Sequence, residues 1–292
     1  MGVRLKFNLV LIMILAVGLV FSGLMSYQIL QKNAENEAIQ NAEIMMQAAQ
    51  SIRTYTVKQI KPLLTLQNKR QFIPQTVPAY AATQNFQDLQ KYYPDYTYKE
   101  AVLNPTNPTH RATDWEADIV QSYRNDATKV SLQGIRDTIT GKQLFISHPI
   151  KIKNAGCLSC HSVPSAAPET MLALYGNANG FGWKMNEVIG AQIVSVPLEI
   201  PLKRARQAFY TFMSSLLVIF VMITIVLNLM LHFIIIKPIV SMSRRAHDIS
   251  MGKLDIPEFD VTGKDEINDL ASSFNRMRRS LDNAMTILSS SK

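Results

Sequence analysis

Two stretches of the chain are nearly free of charge, and the rest of the pattern is arranged around them. Leu9 to Leu30 carries no ionisable residue other than Tyr27, and the only strongly polar interruptions of Phe209 to Ile236 are Asn228 and His232. About 20 apolar residues cross a bilayer as a helix, so the pattern predicts transmembrane helices over 9–30 and 209–236. A cleaved signal peptide is the rival reading of the first block. Such a peptide has an apolar core of about 7–15 residues ending at a small-residue site, whereas this block is longer and Ser26-Tyr27-Gln28 is a poor site. His232 reads as a structural residue near the inner interface, with a ligand role as the alternative.

Between these blocks the periodicity changes character. Ala42, Met45, Ala49 and Ile52 sit at heptad spacing, and Ile60 and Leu63 resume the stripe, which predicts a helix over 37–64 continuing the first span outward. Core packing is the reading of its methionines, a ligand role the alternative. Residues 72–112 read as loop-rich because five prolines, from Pro74 to Pro108, break any long helix. Trp115 to Tyr123 reads as a short helix. Leu132–Ile139, Leu144–Lys151 and Gly190–Pro197 read as strands, the first two joined by a turn at Thr140-Gly141-Lys142. Helices packed on one antiparallel sheet make an α+β domain over 31–208.

The tail, 237–292, returns to helical periodicity. Ile239, Met242, Ala246 and Ile249 step by 3, 4 and 3, and a connector runs from Gly252 through Leu254 and Ile256 to Gly263. Ile267, Leu270, Phe274, Met277, Leu281, Ala284 and Leu288 then alternate steps of 3 and 4. Two heptad helices joined by a Gly-flanked connector fit half of a parallel four-helix bundle, which predicts a homodimer. A plain dimerising coiled coil is the simpler alternative.

Charge decides the orientation. The net charge is +8 over 292 residues, with no dense Lys/Arg run of the kind that binds nucleic acid. Arg4 and Lys6 flank the first span, and Lys237, Arg244 and Arg245 follow the second. By the positive-inside rule both termini, including 1–8, are cytoplasmic. Lys203, Arg204 and Arg206 at the outer edge of the second span run against this. The orientation implies a two-pass protein of a bacterial inner membrane, with the 31–208 domain extracytoplasmic.

The candidate chemistry lies in that domain. The chain has two cysteines, three positions apart, in Cys157-Leu158-Ser159-Cys160-His161, the c-type haem attachment signature. Two thiols on one turn can each form a thioether with a haem vinyl group, and the following imidazole is then pinned beneath the ring as proximal iron ligand. A closed zinc site is the first alternative, but it needs four ligands, and the other outer histidines are only His110 and His148. A thioredoxin-like redox pair is the second, and it would want a βαβ context. The Gly/Asn-rich stretch Tyr175 to Trp183 reads as a loop able to approach the haem edge.

The middle of the chain resembles the PAS-like, c-type-haem sensor domains of cyanobacterial and proteobacterial membrane receptors. The matching stretches are Asn104-Pro105-Thr106-Asn107 before Trp115-Glu116, His148-Pro149-Ile150 and Cys157 to Ser162. Ala167-Pro168, Tyr175-Gly176 and Gly180-Phe181-Gly182-Trp183 complete the match, over about residues 50–200. The resemblance implies a PAS-like fold and one covalent haem c, with Cys157 and Cys160 as its thioether residues and His161 as proximal ligand. For some members it also implies an upstream cysteine as second axial ligand; this chain has no third cysteine. His148, His110, Met171, Met185, a water or an empty position are the candidates here, and an uncoordinated His148 is the simpler reading of that residue.

The tail resembles the HAMP signal-relay module. Pro238, Gly252, Asp265-Glu266 and Phe274-Asn275-Arg276-Met277 stand at the family's positions. Together the resemblances imply a membrane-bound haem receptor that detects redox state or a diatomic gas outside the cytoplasm. A bistable HAMP bundle would relay the signal to a separate cytoplasmic signalling protein, since these residues include no kinase, cyclase or methyl-accepting segment. A membrane-anchored cytochrome that carries electrons is the alternative. No acid/base or nucleophile constellation accompanies the motif, so an enzyme is not expected.

Overall fold

The computed structural model describes residues 2–253 and 256–290, with side chains as far as Ile287. Leu254 of the connector and the Leu288 side chain of the tail stripe lie outside the described residues. The chain divides into two compact units, Met25–Tyr210 and Met1–Leu24 with Thr211–Lys292.

The Met25–Tyr210 unit is a four-stranded antiparallel sheet with helices on both faces. Its strands are β1 (Thr97–Val102), β2 (Leu132–Thr138), β3 (Gly141–Lys151) and β4 (Val188–Pro197), in the order β1-β4-β3-β2. β4 is central, paired to β1 on one side and β3 on the other, and every one of its residues is buried. A strand covered on both faces has no polar-out positions, which is why 188–197 reads as an almost continuous apolar run.

One face of the sheet is covered by α1 (Val3–Tyr55), which contributes Ala38, Ala42, Met45, Met46 and Ala49. They pack with Phe86, Tyr98, Leu144, Ile146, Val194 and Val196, so Met45 belongs to the core. Alanines at this spacing let the helix backbone approach the sheet closely. Beyond Tyr55 the helix widens into a π turn, Thr56–Ile60, and Lys61–Leu63 and α2 (Thr65–Arg70) continue it. The same core receives α3 (Pro78–Gln90) through Ala82 and Phe86.

The opposite face carries α4 (Asp114–Asn125), which buries Ile119, Val120 and Tyr123 against Ala101, Ala191 and Ile193. Its start is fixed by a capping box in which the Glu116 carboxylate accepts from the Thr113 backbone N–H at 2.8 Å. Glu116 also pairs with Lys99 of β1 at 2.7 Å.

A polar chain crosses the α1 face of the sheet. Arg53 of α1 is ion-paired to Glu100 of β1, the Tyr98 hydroxyl donates to the same carboxylate at 2.7 Å, and Gln192 of β4 donates to the Tyr98 oxygen at 3.2 Å. Burial and the neighbouring carboxylate both push the Tyr98 pKa up, so it stays a donor.

Residues 72–112, expected to be loop-rich, contain α3 and β1. Pro78 stands in the first turn of α3, where a missing N–H costs nothing, so it starts the helix rather than breaking it. The strand expectations hold with small shifts: β4 begins at Val188, and Thr138 pairs with Gly141, which moves the hairpin tip to Ile139-Thr140.

Among the described residues two helices, each running from one unit into the other, are long and apolar enough to cross a membrane, the first within Val3–Leu63 and the second within Glu199–Ser250. The latter is α7 (Glu199–Met230), a π-helical segment Leu231–Ile236 and α8 (Lys237–Ser250). The Asn228 side-chain amide donates to the Asn8 carbonyl oxygen at 2.8 Å, and Arg4 donates to His232 one turn further along. After the connector, α9 (Glu266–Ser290) packs on α8, burying Ala271 and Asn275. The Asn275 side chain accepts from the Phe259 backbone N–H at 3.0 Å and donates to its carbonyl at 2.9 Å, which holds the connector to α9.

Candidate functional site

The thiol pair and its histidine sit on one short helical turn between β3 and β4. An Asn154 side-chain oxygen accepts from the Gly156 N–H at 2.8 Å and starts a 3₁₀ turn, Ala155–Cys157. This passes directly into α5 (Leu158–His161), with Cys157 at its N-cap. Cys157 and Cys160 therefore project from adjacent points of a single turn, both half-buried and unbridged. Cys157 and Leu158 pack against Val102, Ile152 and Ile189 at the end of the sheet.

His161 is held from two directions. Its Nδ1 lies 2.8 Å from the carbonyl oxygen of Gly180 and 3.4 Å from the Thr106 hydroxyl. The Trp183 indole stacks on the imidazole at 3.9 Å between centroids and 19° between planes. The segments are also joined through backbone, Gly182 N–H to Ser162 carbonyl at 2.8 Å and Trp183 N–H to His161 carbonyl at 3.2 Å. Gly180 has φ +84°, and a Cβ there would collide with the Thr106 side chain and backbone. Only glycine places its carbonyl against the imidazole here. The Asn104 side chain fixes the same turn, accepting from the Gly180 N–H at 3.3 Å.

This arrangement sets the chemistry of the ring. Burial lowers the His161 pKa, with the Gly180 carbonyl bond opposing, so the imidazole is neutral at pH 7. A carbonyl acceptor at Nδ1 requires the proton there, which leaves the lone pair on Nε2, the form that binds a metal. Two free thiols on one turn next to such an imidazole suit a c-type haem. Among the described residues no group of three or more His, Cys, Asp or Glu side chains is arranged to hold a bare metal ion.

The other candidates lie elsewhere. His148 is on β3 opposite Gln192, its pKa lowered by burial with Glu43 of α1 opposing. His110 is half-buried beside Glu100, and its Nδ1 is buried without a hydrogen-bond partner. Met171 is buried within α6 (Glu169–Tyr175), and Met185 is exposed in the turn before β4. Sequence reasoning missed Thr106, Gly180 and Trp183 as partners of His161; all three stood in the stretches quoted for the resemblance.

The α+β domain thus presents an imidazole and two thiols on one turn, between a long helix that enters it and another that leaves it. The chain belongs to the Tll0287-like family, which matches residues 31–197, more than half of its length. A HAMP domain follows at residues 230–283. Both resemblances read from the sequence are thereby met. Among solved structures the chain is similar to the crystal structure of the cyanobacterial heme-protein Tll0287, at 13% sequence identity and a TM-score of 0.43, covering 55% of this chain and 95% of that one. No curated protein matches the chain.

Proposed function

We propose that the chain is a membrane-bound c-type haem receptor. Its PAS-like domain lies outside the cytoplasm, one haem c is bound through thioethers to Cys157 and Cys160, and His161 is the proximal iron ligand. The domain detects redox state or a diatomic gas and signals through HAMP to a separate cytoplasmic protein. The observation that carries this reading is the fixing of His161 Nδ1 by the Gly180 carbonyl beside two unbridged thiols. Membership of the Tll0287-like family and the HAMP domain that follows supply its context. A haem held this way supplies a redox-active iron with axial positions for ligands.

The chain's own residues give such a site a route outward. Any displacement of the His161 ring is felt by 180–183, which is bonded to it through Gly180, Gly182 and Trp183. Val188 follows Trp183 by five residues and opens β4, which is bonded along both edges and passes to α7 with only Leu198 between. A coupling of about 1–3 kcal/mol between site and output is typical of such relays. The stripe residues Met277 and Leu281 remain exposed, at 59% and 44%, beside a groove of about 420 Å³ lined by Ala246, Ile249, Phe274 and Ala284. This supports a homodimer closed through the tail.

The test is the optical spectrum of the full chain, made in a host with working cytochrome c maturation, oxidised and reduced, with and without nitric oxide or carbon monoxide. A spectrum altered by gas at low concentration supports a gas receptor, and a change confined to the redox step supports a redox receptor. An iron inert to gases that exchanges electrons rapidly with a partner cytochrome would favour the electron carrier.

A further inference from the structure

The sheet has one end close to the point where the chain enters α7, and that end exposes apolar side chains that nothing in the domain covers. We propose that this end rests in the headgroup layer of the bilayer, with Ile139 at the β2–β3 tip and Tyr92 and Tyr93 in the turn before β1 as its lipid contacts. The inference rests on the two-span reading above.

The topology brings the three residues to one edge. β4 ends at Pro197 and feeds α7, while β3 begins beside it: Gln143 pairs with Pro197, and the Leu198 N–H donates to the Lys142 carbonyl at 2.9 Å. The hairpin tip therefore projects past the end of β4, along the direction in which β4 feeds α7. β1 begins level with Ser195, so the Tyr92–Tyr96 turn lies at the same end. Tyr96 and Leu202 of the first turns of α7 pack on one common core, which ties that turn to the helix. Ile139 is fully exposed, and Tyr92 and Tyr93 are 81% and 57% exposed. The charges around them, Lys91, Asp95, Asp137, Lys142 and Glu199, are of mixed sign. The contact is therefore apolar and aromatic, the kind that tyrosines make at a membrane interface.

The distances fit. Tyr27 and Phe209 meet edge to face at 5.9 Å, marking one level on the two helices near the outer limit of their apolar runs. From Leu198 to Phe209 the helix rises about 16 Å at about 1.5 Å per residue. The tip extends about 7–10 Å from Lys142 at about 3.3 Å per residue. With the hairpin laid along the helix axis, Ile139 comes to about 6–9 Å from the hydrocarbon edge, against a headgroup layer of about 5–8 Å per leaflet.

The experiment uses the full chain in phosphatidylcholine nanodiscs doped with a lipid bearing a photoactivatable diazirine on its headgroup, followed by digestion and mass spectrometry. Adducts are expected on the peptides containing Ile139 and Tyr92-Tyr93 and on the span ends around Tyr27 and Phe209. The peptide containing Val130, an exposed apolar residue ahead of the opposite end of β2, should be free of them. In the variant Ile139→Ser, Tyr92→Ser, Tyr93→Ser, adducts on the two loops should fall to the Val130 level while those on the span ends persist. Labelled span ends with unlabelled loops, or loops labelled no more than Val130, overturn the proposal. Unlabelled span ends would sink the two-span reading itself, and the proposal with it.

Discussion

Replacing Gly180 by alanine tests how the site is built more sharply than replacing a ligand. At φ +84° the new Cβ meets the left-handed penalty of about 1–2 kcal/mol. It also collides with Thr106, so the 180–183 segment must move and the bond from His161 Nδ1 to the Gly180 carbonyl is lost, at about 0.5–1.5 kcal/mol. The sum is about 2–4 kcal/mol, counting some displacement of Thr106. Gly176 and Gly182 are internal controls: their φ values are +77° and +80°, but a Cβ at either meets no atom within 4 Å. Gly182→Ala should therefore cost only the backbone part, about 1–2 kcal/mol, and Gly176→Ala, whose ψ of −173° lies in a region open essentially to glycine, about 1–3 kcal/mol. Urea unfolding of the full chain in detergent, followed by tryptophan fluorescence, compares the three midpoints at a common slope. If Gly180→Ala loses no more stability than Gly182→Ala, the clasp on His161 is not formed as described.

Three further outcomes follow from other parts of the fold. Arg53→Met leaves the Glu100 carboxylate buried without its cation and should cost about 3 kcal/mol in the same unfolding assay; a loss under about 1 kcal/mol would mean the pair is solvated. Burial lowers the His110 pKa, so the unfolded chain binds a proton around pH 6.5 that the folded chain resists. That contribution is intact above pH 6.5 and is lost as the pH falls toward the folded value, so urea midpoints should drop between pH 7.5 and 5.5 and His110→Phe should shrink the drop. An unchanged pH dependence in that variant contradicts the assignment. Asn275→Ala removes both bonds to Phe259 at about 1–3 kcal/mol, and limited proteolysis should then cut faster between Ile256 and Gly263. Equal cleavage rates would show that Asn275 does not hold the connector.

How far these features could be read from the chain varied with how local their causes are. The apolar blocks, the Ala42–Ile52 stripe, the β2–β3 hairpin and the heptads of α8 and α9 are written in side-chain periodicity, and the structure repeats them. β1 escaped because Lys99 and Glu100 interrupt its apolar alternation. Glu100 is buried only because Arg53, 47 positions away, neutralises it. α3 escaped because Pro78 reads as a breaker when its helical position is unknown. At the site, the spacing of Cys157, Cys160 and His161 predicts that they lie together, and the structure sets them on one helical turn. Their clasp was not legible, because Gly180 and Trp183 reach His161 across 19 and 22 positions through a turn whose shape depends on Thr106.

The whole reading turns on a covalent bond between this chain and a porphyrin. Intact-mass spectrometry of the denatured protein, made with cytochrome c maturation active, measures it directly. The expected spectrum is the polypeptide plus one haem, with the added mass absent from Cys157→Ser, Cys160→Ser. A wild-type chain that emerges colourless at the mass of the bare polypeptide would contradict the account.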